Sequence, residues 1–212
     1  MKLKNLIVAH RGIHNKYIPE NSMLAFKKCI EKNYPIELDV RILKDNNIVV
    51  FHDSNLYRMT GINKKIEKCT YEEIKNLTLS KTKEKIPLLK DVLSLVGNRV
   101  LLMIELKNKK TGPLEKELLK LLNNYHNFCI QSFNIKSLYL IKKINPKIYV
   151  GLITMGKKNK YIYLNNYDYI CHPIYGTNKN LKNNKPIFIW GIGTAEIEKA
   201  KKYGDSFIVD IE

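Results

Sequence analysis

Short apolar runs rich in β-branched and aromatic residues recur along the chain, at 5–10, 36–42, 48–52, 100–107, 128–133, 148–154, 168–172, 186–191 and 206–210. Each has the length of a strand. The continuous apolar stretches at 100–104 and 187–190 suit parallel strands covered on both faces. Helix-period segments lie between the runs. Ser22 can cap a helix whose residues Met23, Phe26 and Ile30 share one face. Pro113 is placed to open a helix carrying Leu114, Leu118, Leu121, Leu122 and Tyr125. Asn134 precedes Ile135, Leu138, Ile141 and Ile144, and Pro146 stops that pattern. Thr194 begins a last helix, with Gly204 just past its end.

Strand–helix alternation over the whole length predicts an α/β fold with a mainly parallel sheet, and 212 residues lie near the lower size limit of a (β/α)8 TIM barrel. There are nine candidate strands for eight places. The runs at 36–42 and 48–52 are too close for a helical crossover, so they form a hairpin or a similar irregular unit, and the pattern leaves open which strand is surplus. Residues 54–86 read differently: short, polar, with a capping-box signal at Thr70 and Glu73 before Ile74 and Leu77. A small insertion packed on the barrel is expected there, within a single domain spanning 1–212.

Composition adds boundaries. A hydrophobic fraction of 44% and a charged fraction of 27% exclude a disordered chain, and no apolar stretch approaches the ~20 residues of a membrane span. The basic start carries too few apolar residues for a signal peptide, so a cytoplasmic protein is expected. The net charge is +17, yet only Arg11, Arg41, Arg58 and Arg99 of the 37 basic residues are arginine. Lysines spread over the whole chain fit solvated faces better than a nucleic-acid stripe, although the positive field attracts anions. Cys29, Cys69, Cys129 and Cys171 form no metal-site or disulfide pattern.

The chemistry gathers at the ends of the strand-like runs: His10-Arg11-Gly12, Glu37-Leu38-Asp39, His52-Asp53 and Glu105-Leu106-Lys107. Residues two apart on a strand face the same way, so Glu37 and Asp39 project together, as do Glu105 and Lys107. On parallel barrel strands all of them converge on the mouth. Three clustered carboxylates need a counter-charge, and an all-oxygen set suits one hard divalent cation, Ca²⁺ or Mg²⁺. With Arg11 and Lys107 beside it, the pocket suits phosphate, and two histidines at one rim fit a general acid and base. Singly, each piece has a plainer reading: a surface acid pair, a strand-end histidine, a salt bridge, a helix start. Jointly, so many charges at the ends of apolar strands would be costly in a purely structural barrel.

In order and spacing, Ala9-His10-Arg11-Gly12, Pro19-Glu20-Asn21-Ser22, Ile36-Glu37-Leu38-Asp39-Val40, Val49-Val50-Phe51-His52-Asp53, Arg58-Met59-Thr60 and Ile104-Glu105-Leu106-Lys107 resemble the glycerophosphodiester phosphodiesterases. Ser132-Phe133, Gly151-Leu152, Trp190 and Val209-Asp210 are weaker landmarks of the same family. The resemblance implies a (β/α)8 barrel with a small insertion, and hydrolysis of glycerophosphodiesters to glycerol 3-phosphate and an alcohol. It implies His10 and His52 as the acid–base pair and Glu37, Asp39 and Glu105 as ligands of Ca²⁺ or Mg²⁺. Arg11 and Lys107 then bind phosphate. Trp190, an aromatic at a strand end, either stacks on glycerol or the head group or serves only packing. Family analogy leans towards attack by the substrate's own 2-hydroxyl over direct attack by water.

The chain departs from the family where Trp190-Gly191-Ile192-Gly193 replaces the usual Trp-Thr-Val-Asn, and where Asn33-Tyr34-Pro35 replaces Gly-Ala-Asp. Both touch substrate identity rather than the chemistry. His14, His126 and His172 have no assigned role, although His172 ends a strand. Rival readings are a phospholipase D or C on lysophospholipid or phosphoinositol, for which no apolar rim is legible, a basic nucleic-acid-binding protein, and a catalytically dead barrel. The small-molecule diester is the expected partner.

Overall fold

The structure, a computed structural model, describes residues 3–107, 110–156, 166–175 and 185–212. Nine strands match the nine apolar runs: β1 (Ile7–Ala9), β2 (Ile36–Ile42), β3 (Ile48–Val50), β4 (Leu102–Leu106), β5 (Phe128–Ser132), β6 (Val150–Ile153), β7 (Tyr169–Pro173), β8 (Ile187–Gly193) and β9 (Ser206–Asp210). All except β3 are parallel and close into an eight-stranded barrel, with β1 seated between β9 and β2. The surplus strand is β3, antiparallel to β2 through Val40 with Val50 and Ile42 with Ile48. Its turn is fixed by one side chain and one left-handed residue. Asp45 accepts hydrogen bonds from the Asn47 amide at 3.2 Å and the Tyr71 amide at 2.8 Å, and Asn46 takes the left-handed conformation.

The helices with readable ends form where the sequence marks them. In α1 (Met23–Glu31) the Ser22 hydroxyl accepts from the Ala25 amide at 3.1 Å. Pro113 opens α5 (Pro113–Leu121), and the Asn134 side chain caps α6 (Ile135–Ile144). Between residues 54 and 86 lie two single turns, α2 (Tyr57–Thr60) and α3 (Tyr71–Ile74), the second entered through the Thr70–Glu73 capping box. Two differences have physical reasons. Leu89–Val96 is helical (α4) although no capping side chain announces it, Leu88 holding the N-cap with backbone alone. The last helix is shorter than expected: a 3-10 turn, Thr194–Glu196, runs into α7 (Ile197–Ala200).

Three apolar clusters follow from strand parity. Outward residues such as Leu38, Ile104, Ile130 and Ile170 pack against Phe26, Leu118 and Leu138 of the surrounding helices. Inward residues Val8, Met103, Cys129, Tyr169, Phe188 and Ile208 fill the barrel below its mouth. Tyr169 stacks edge-on against Phe188 at 5.4 Å, and a Cβ at Gly151 would lie 2.1 Å from the Tyr169 ring, so only glycine leaves that ring room. A third cluster, Phe51, Leu56, Met59, Ile66, Ile74, Leu79 and Leu88, joins the segment 54–86 to Val49 of β3. The four cysteines are buried and unpaired. No helix among the described residues is long and apolar enough to cross a membrane.

Candidate active site

Every residue expected at the site lies at the same end of the barrel. A cavity of about 220 Å³ at the mouth is lined on one side by His10, Arg11, Glu37, His52, Glu105 and Lys107. The other side is apolar, with Phe133, Ile153 and Trp190. The register of β2 with β4 sets Asp39 directly opposite Glu105, and parity turns Glu37 the same way. Carboxylate oxygens of Glu37, Asp39 and Glu105 consequently gather within 4.8 Å of one another, all buried.

The turn after β1 is bent to serve this group. Arg11 and Gly12 both have positive φ, and a Cβ at Gly12 would meet Ala25 of α1 at 2.9 Å. A left-handed arginine is a sparsely populated conformation, held here because the chain on both sides is pinned. Its backbone N–H donates to Glu37 at 3.1 Å, and its carbonyl accepts from the Asn21 amide at 2.9 Å. The Arg11 guanidinium reaches Glu20 at 2.8 Å and Asp39 at 3.4 Å. Asn21 donates to the same Asp39 oxygen at 2.8 Å. From β4, the Lys107 ammonium lies 2.7 Å from Glu105 and 3.7 Å from Asp39.

These neighbours divide the three acids. Burial, reinforced by Asp39 and then Glu105, pushes Glu37 well above the ordinary carboxyl range. Burial and then Asp39 push Glu105 up to about 7, against the pull of Lys107. Asp39 would be raised by its burial as well, but Lys107 and Arg11, with His52 and His10, outweigh that and hold it below its usual value. Asp39 Oδ1 is buried without a hydrogen-bond donor. A lone acceptor beside two carboxyls that burial and like charge push upward fits a hard cation with oxygen ligands.

The histidines stand on two carboxylates. His10 Nδ1 donates to Asp210 of β9 at 2.7 Å, and His52 Nδ1 donates to Asp53 at 2.6 Å. Those bonds select the tautomer and leave Nε2 of each ring for the cavity. Burial lowers His52 below the ordinary imidazole value, against the opposing charge of Asp39. The hydrogen bond from His10 lowers Asp210. Asp53 is drawn down to about 2, because the hydrogen bonds from Arg58 and His52 outweigh its burial.

The sequence pattern gave no role to several residues that hold this arrangement. Asp53 and Asp210 anchor the imidazoles, Glu20 and Arg58 connect Arg11 to Asp53, and Gln131 donates to Glu37 at 3.4 Å. Asp53 and Glu20 sit inside the motifs quoted above, but nothing local tells which side chain each one meets. Trp190 lies at the mouth, edge-on to Phe133 at 6.3 Å. His172 does not reach it. The ring faces outward from the barrel, is buried, and meets the Thr154 hydroxyl through Nδ1. The mouth does carry exposed apolar side chains. Phe133, Met155 and Tyr175, 42%, 75% and 79% exposed, follow the ends of the successive strands β5, β6 and β7. No helical or strand periodicity announces such a rim, because loops supply it.

Known proteins resemble this chain in sequence and share its fold. The family model described as "Glycerophosphoryl diester phosphodiesterase family" matches residues 10–209. A glycerophosphodiester phosphodiesterase of Caldanaerobacter subterraneus subsp. tengcongensis is 32% identical over 98% of this chain and 95% of its own. The crystal structure of a glycerophosphodiester phosphodiesterase from Thermotoga maritima superposes with a TM-score of 0.78 at 29% identity, covering 97% of this chain and 94% of its own. A phosphodiesterase of Oleispira antarctica, solved with its product sn-glycerol 3-phosphate, shares the fold at a TM-score of 0.86 and 20% identity, over 98% and 93% of the two chains.

Proposed function

Since this chain belongs to the glycerophosphoryl diester phosphodiesterase family and is thereby a phosphoric diester hydrolase, we propose that it hydrolyses glycerophosphodiesters to glycerol 3-phosphate and an alcohol, using His10 and His52 as its acid–base pair. The observation that carries the reading is that two carboxylate-anchored imidazoles line one cavity with the buried acid trio. Glu37, Asp39 and Glu105 would hold one divalent cation, Ca²⁺ or Mg²⁺. When bound, it supplies charge neutralisation for the phosphoryl oxygens.

The chain's own groups do the rest. Arg11 and Lys107 present guanidinium and ammonium to the diester's non-bridging oxygens, where negative charge grows in the transition state. One imidazole Nε2 takes the proton of the attacking hydroxyl, from water or the substrate's own 2-hydroxyl. The P–O bond to the alcohol breaks, and the second imidazole protonates the departing oxygen. Burial lowers His52 below the ordinary imidazole value, which suits it to accept the proton, with His10 as the donor. If the 2-hydroxyl attacks, a cyclic phosphate forms and water opens it with the roles exchanged. Trp190 and Phe133 form the apolar wall against which the glycerol carbons lie. Residues 1–212 act as one domain, the segment at about 54–86 being an insertion that carries part of the His52 side of the mouth.

The test is glycerol 3-phosphate release from glycerophosphocholine, with and without chelator, for wild type and His10→Ala. Chelation and the substitution should each abolish turnover; turnover indifferent to both would falsify the assignment. The exposed rim of Phe133, Met155 and Tyr175 favours one further reading, a lysophospholipid whose acyl chain lies on that arc. Release of choline from lysophosphatidylcholine but not from glycerophosphocholine would select it.

A further inference from the structure

The two imidazoles are not held alike. His10 follows β1, which is clamped between β9 and β2 within the closed barrel. His52 follows β3, which stands outside the ring, paired with β2 on one side and bridged at Val49 to Leu88 on the other. The barrel's closure holds His52 only indirectly, through the β2–β3 ladder and the Phe51 N–H that donates to the Asp39 carbonyl at 2.9 Å, so further contacts help set how far His52 lies from Arg11. One acts on the backbone: Arg41 of β2 donates to the His52 carbonyl at 2.6 and 3.0 Å and to the Lys107 carbonyl at 2.9 Å.

Arg58, in the first turn of the insertion, acts on the side chains. Its Nε lies 2.6 Å from Asp53 Oδ2 and its Nη2 3.1 Å from Asp53 Oδ1, a two-pronged grip on the carboxylate that orients His52. The same guanidinium meets both oxygens of Glu20, at 2.9 and 2.7 Å, and Glu20 Oε1 receives Arg11 at 2.8 Å. One planar cation thus joins an unbroken chain, Arg11–Glu20–Arg58–Asp53–His52. It spans from the loop after β1 to the loop after β3. Two forked contacts on one guanidinium exploit all of its geometry, which an ammonium cannot reproduce.

We propose that Arg58 is a positioning residue that sets the His52 imidazole relative to the Arg11 guanidinium, so that proton transfer and phosphate grip act on one bound diester. The role rests on the reading above. Arg58 touches neither reacting oxygen; it acts through Asp53 and Glu20. An exposed arginine in an ordinary surface pair would matter little. Here a small displacement of an acid–base group costs rate steeply, because catalysis needs near-attack geometry.

The experiment measures glycerol 3-phosphate release from glycerophosphocholine, under the wild-type enzyme's best divalent-cation condition, for wild type, Arg58→Ala, Arg58→Lys, Asp53→Asn, Asp210→Asn and the doubles Arg58→Ala/Asp53→Asn and Arg58→Ala/Asp210→Asn. Thermal unfolding of each variant is followed alongside. Arg58→Ala should lower kcat roughly tenfold to a hundredfold while KM changes by about threefold or less. Arg58→Lys should recover little of it, and millimolar guanidinium should restore part of the Arg58→Ala rate. With Asp53→Asn the losses should fail to multiply, because both break the same link; with Asp210→Asn, on the other histidine, they should multiply. Full activity in Arg58→Lys, or losses that multiply with Asp53→Asn, overturns the role. So does a rate loss that only tracks unfolding. A wild type inactive on this diester refutes the functional reading instead, independently of Arg58.

Discussion

Replacing Glu105 by glutamine should make the cation-free protein more stable and the enzyme inactive. Glu105 is buried with Asp39 opposite it, and its carboxyl titrates at about 7 in the folded chain against 4.5 when exposed. Between those values the unfolded chain has released the proton while the folded chain still holds it, so folding takes up a proton and stability falls as pH rises. The cost is absent below pH 4.5 and complete above about 7, on the order of 3 kcal/mol at ~1.4 kcal/mol per pH unit. Glutamine has nearly the shape of the protonated acid and does not titrate. In chelator, wild type and Glu105→Gln should therefore melt close together near pH 5. By pH 8 the variant should melt higher by roughly 6–12 °C, taking ~2–4 °C per kcal/mol for a chain of this size. Saturating Ca²⁺ or Mg²⁺ should reverse the order, since binding stabilises only the chain with an intact acid trio. Differential scanning calorimetry over pH 5–8, with chelator and with cation, reads all of this. Parallel curves for the two proteins in chelator would mean that Glu105 is not the buried proton holder, and the account of the trio's charge would fall with it.

Gly151→Ala should cost about 1–3 kcal/mol or more in urea unfolding, because its methyl would enter the Tyr169 ring. Trimming the ring in Gly151→Ala/Tyr169→Leu should return part of that loss, and equal losses in the single and double variants would show that the clash is relieved elsewhere. Asp53, drawn down to about 2 from 3.8, contributes stability that is complete above 3.8 and disappears as pH falls through 2. Asp53→Asn should accordingly flatten the acid limb of the stability curve below pH 4, seen by circular dichroism; an unchanged limb would remove Asp53 from the ion pairs that hold the fold.

The barrel was legible because its strands are covered on both faces, which writes them as apolar runs, and every run became a strand. Deciding which one stands outside the ring needed the pairing itself: only the register of Val40 with Val50 shows that 48–50 turns back. The helix at 89–96 was overlooked although Leu89, Val92, Leu93 and Val96 have helical spacing, because Pro87 and the absence of a polar cap join it to the irregular segment before it. Parity on strands made Glu37, Asp39, Glu105 and Lys107 readable as one group. The residues that orient the site were not readable, since the meeting of His10 with Asp210 crosses almost the entire chain and that of Arg58 with Glu20 joins α2 to the loop after β1. Such pairings are set by closure of the fold and leave no local trace.

The plug of Tyr169, Phe188, Met103 and Ile208 gives the reaction chamber a solid floor. Among the described residues the mouth is the open end of the barrel, so a diester and its two products would pass through the same opening. Glycerol 3-phosphate added to the assay is therefore expected to compete with the diester for that one cavity, which would make the rate answer to accumulation of the product.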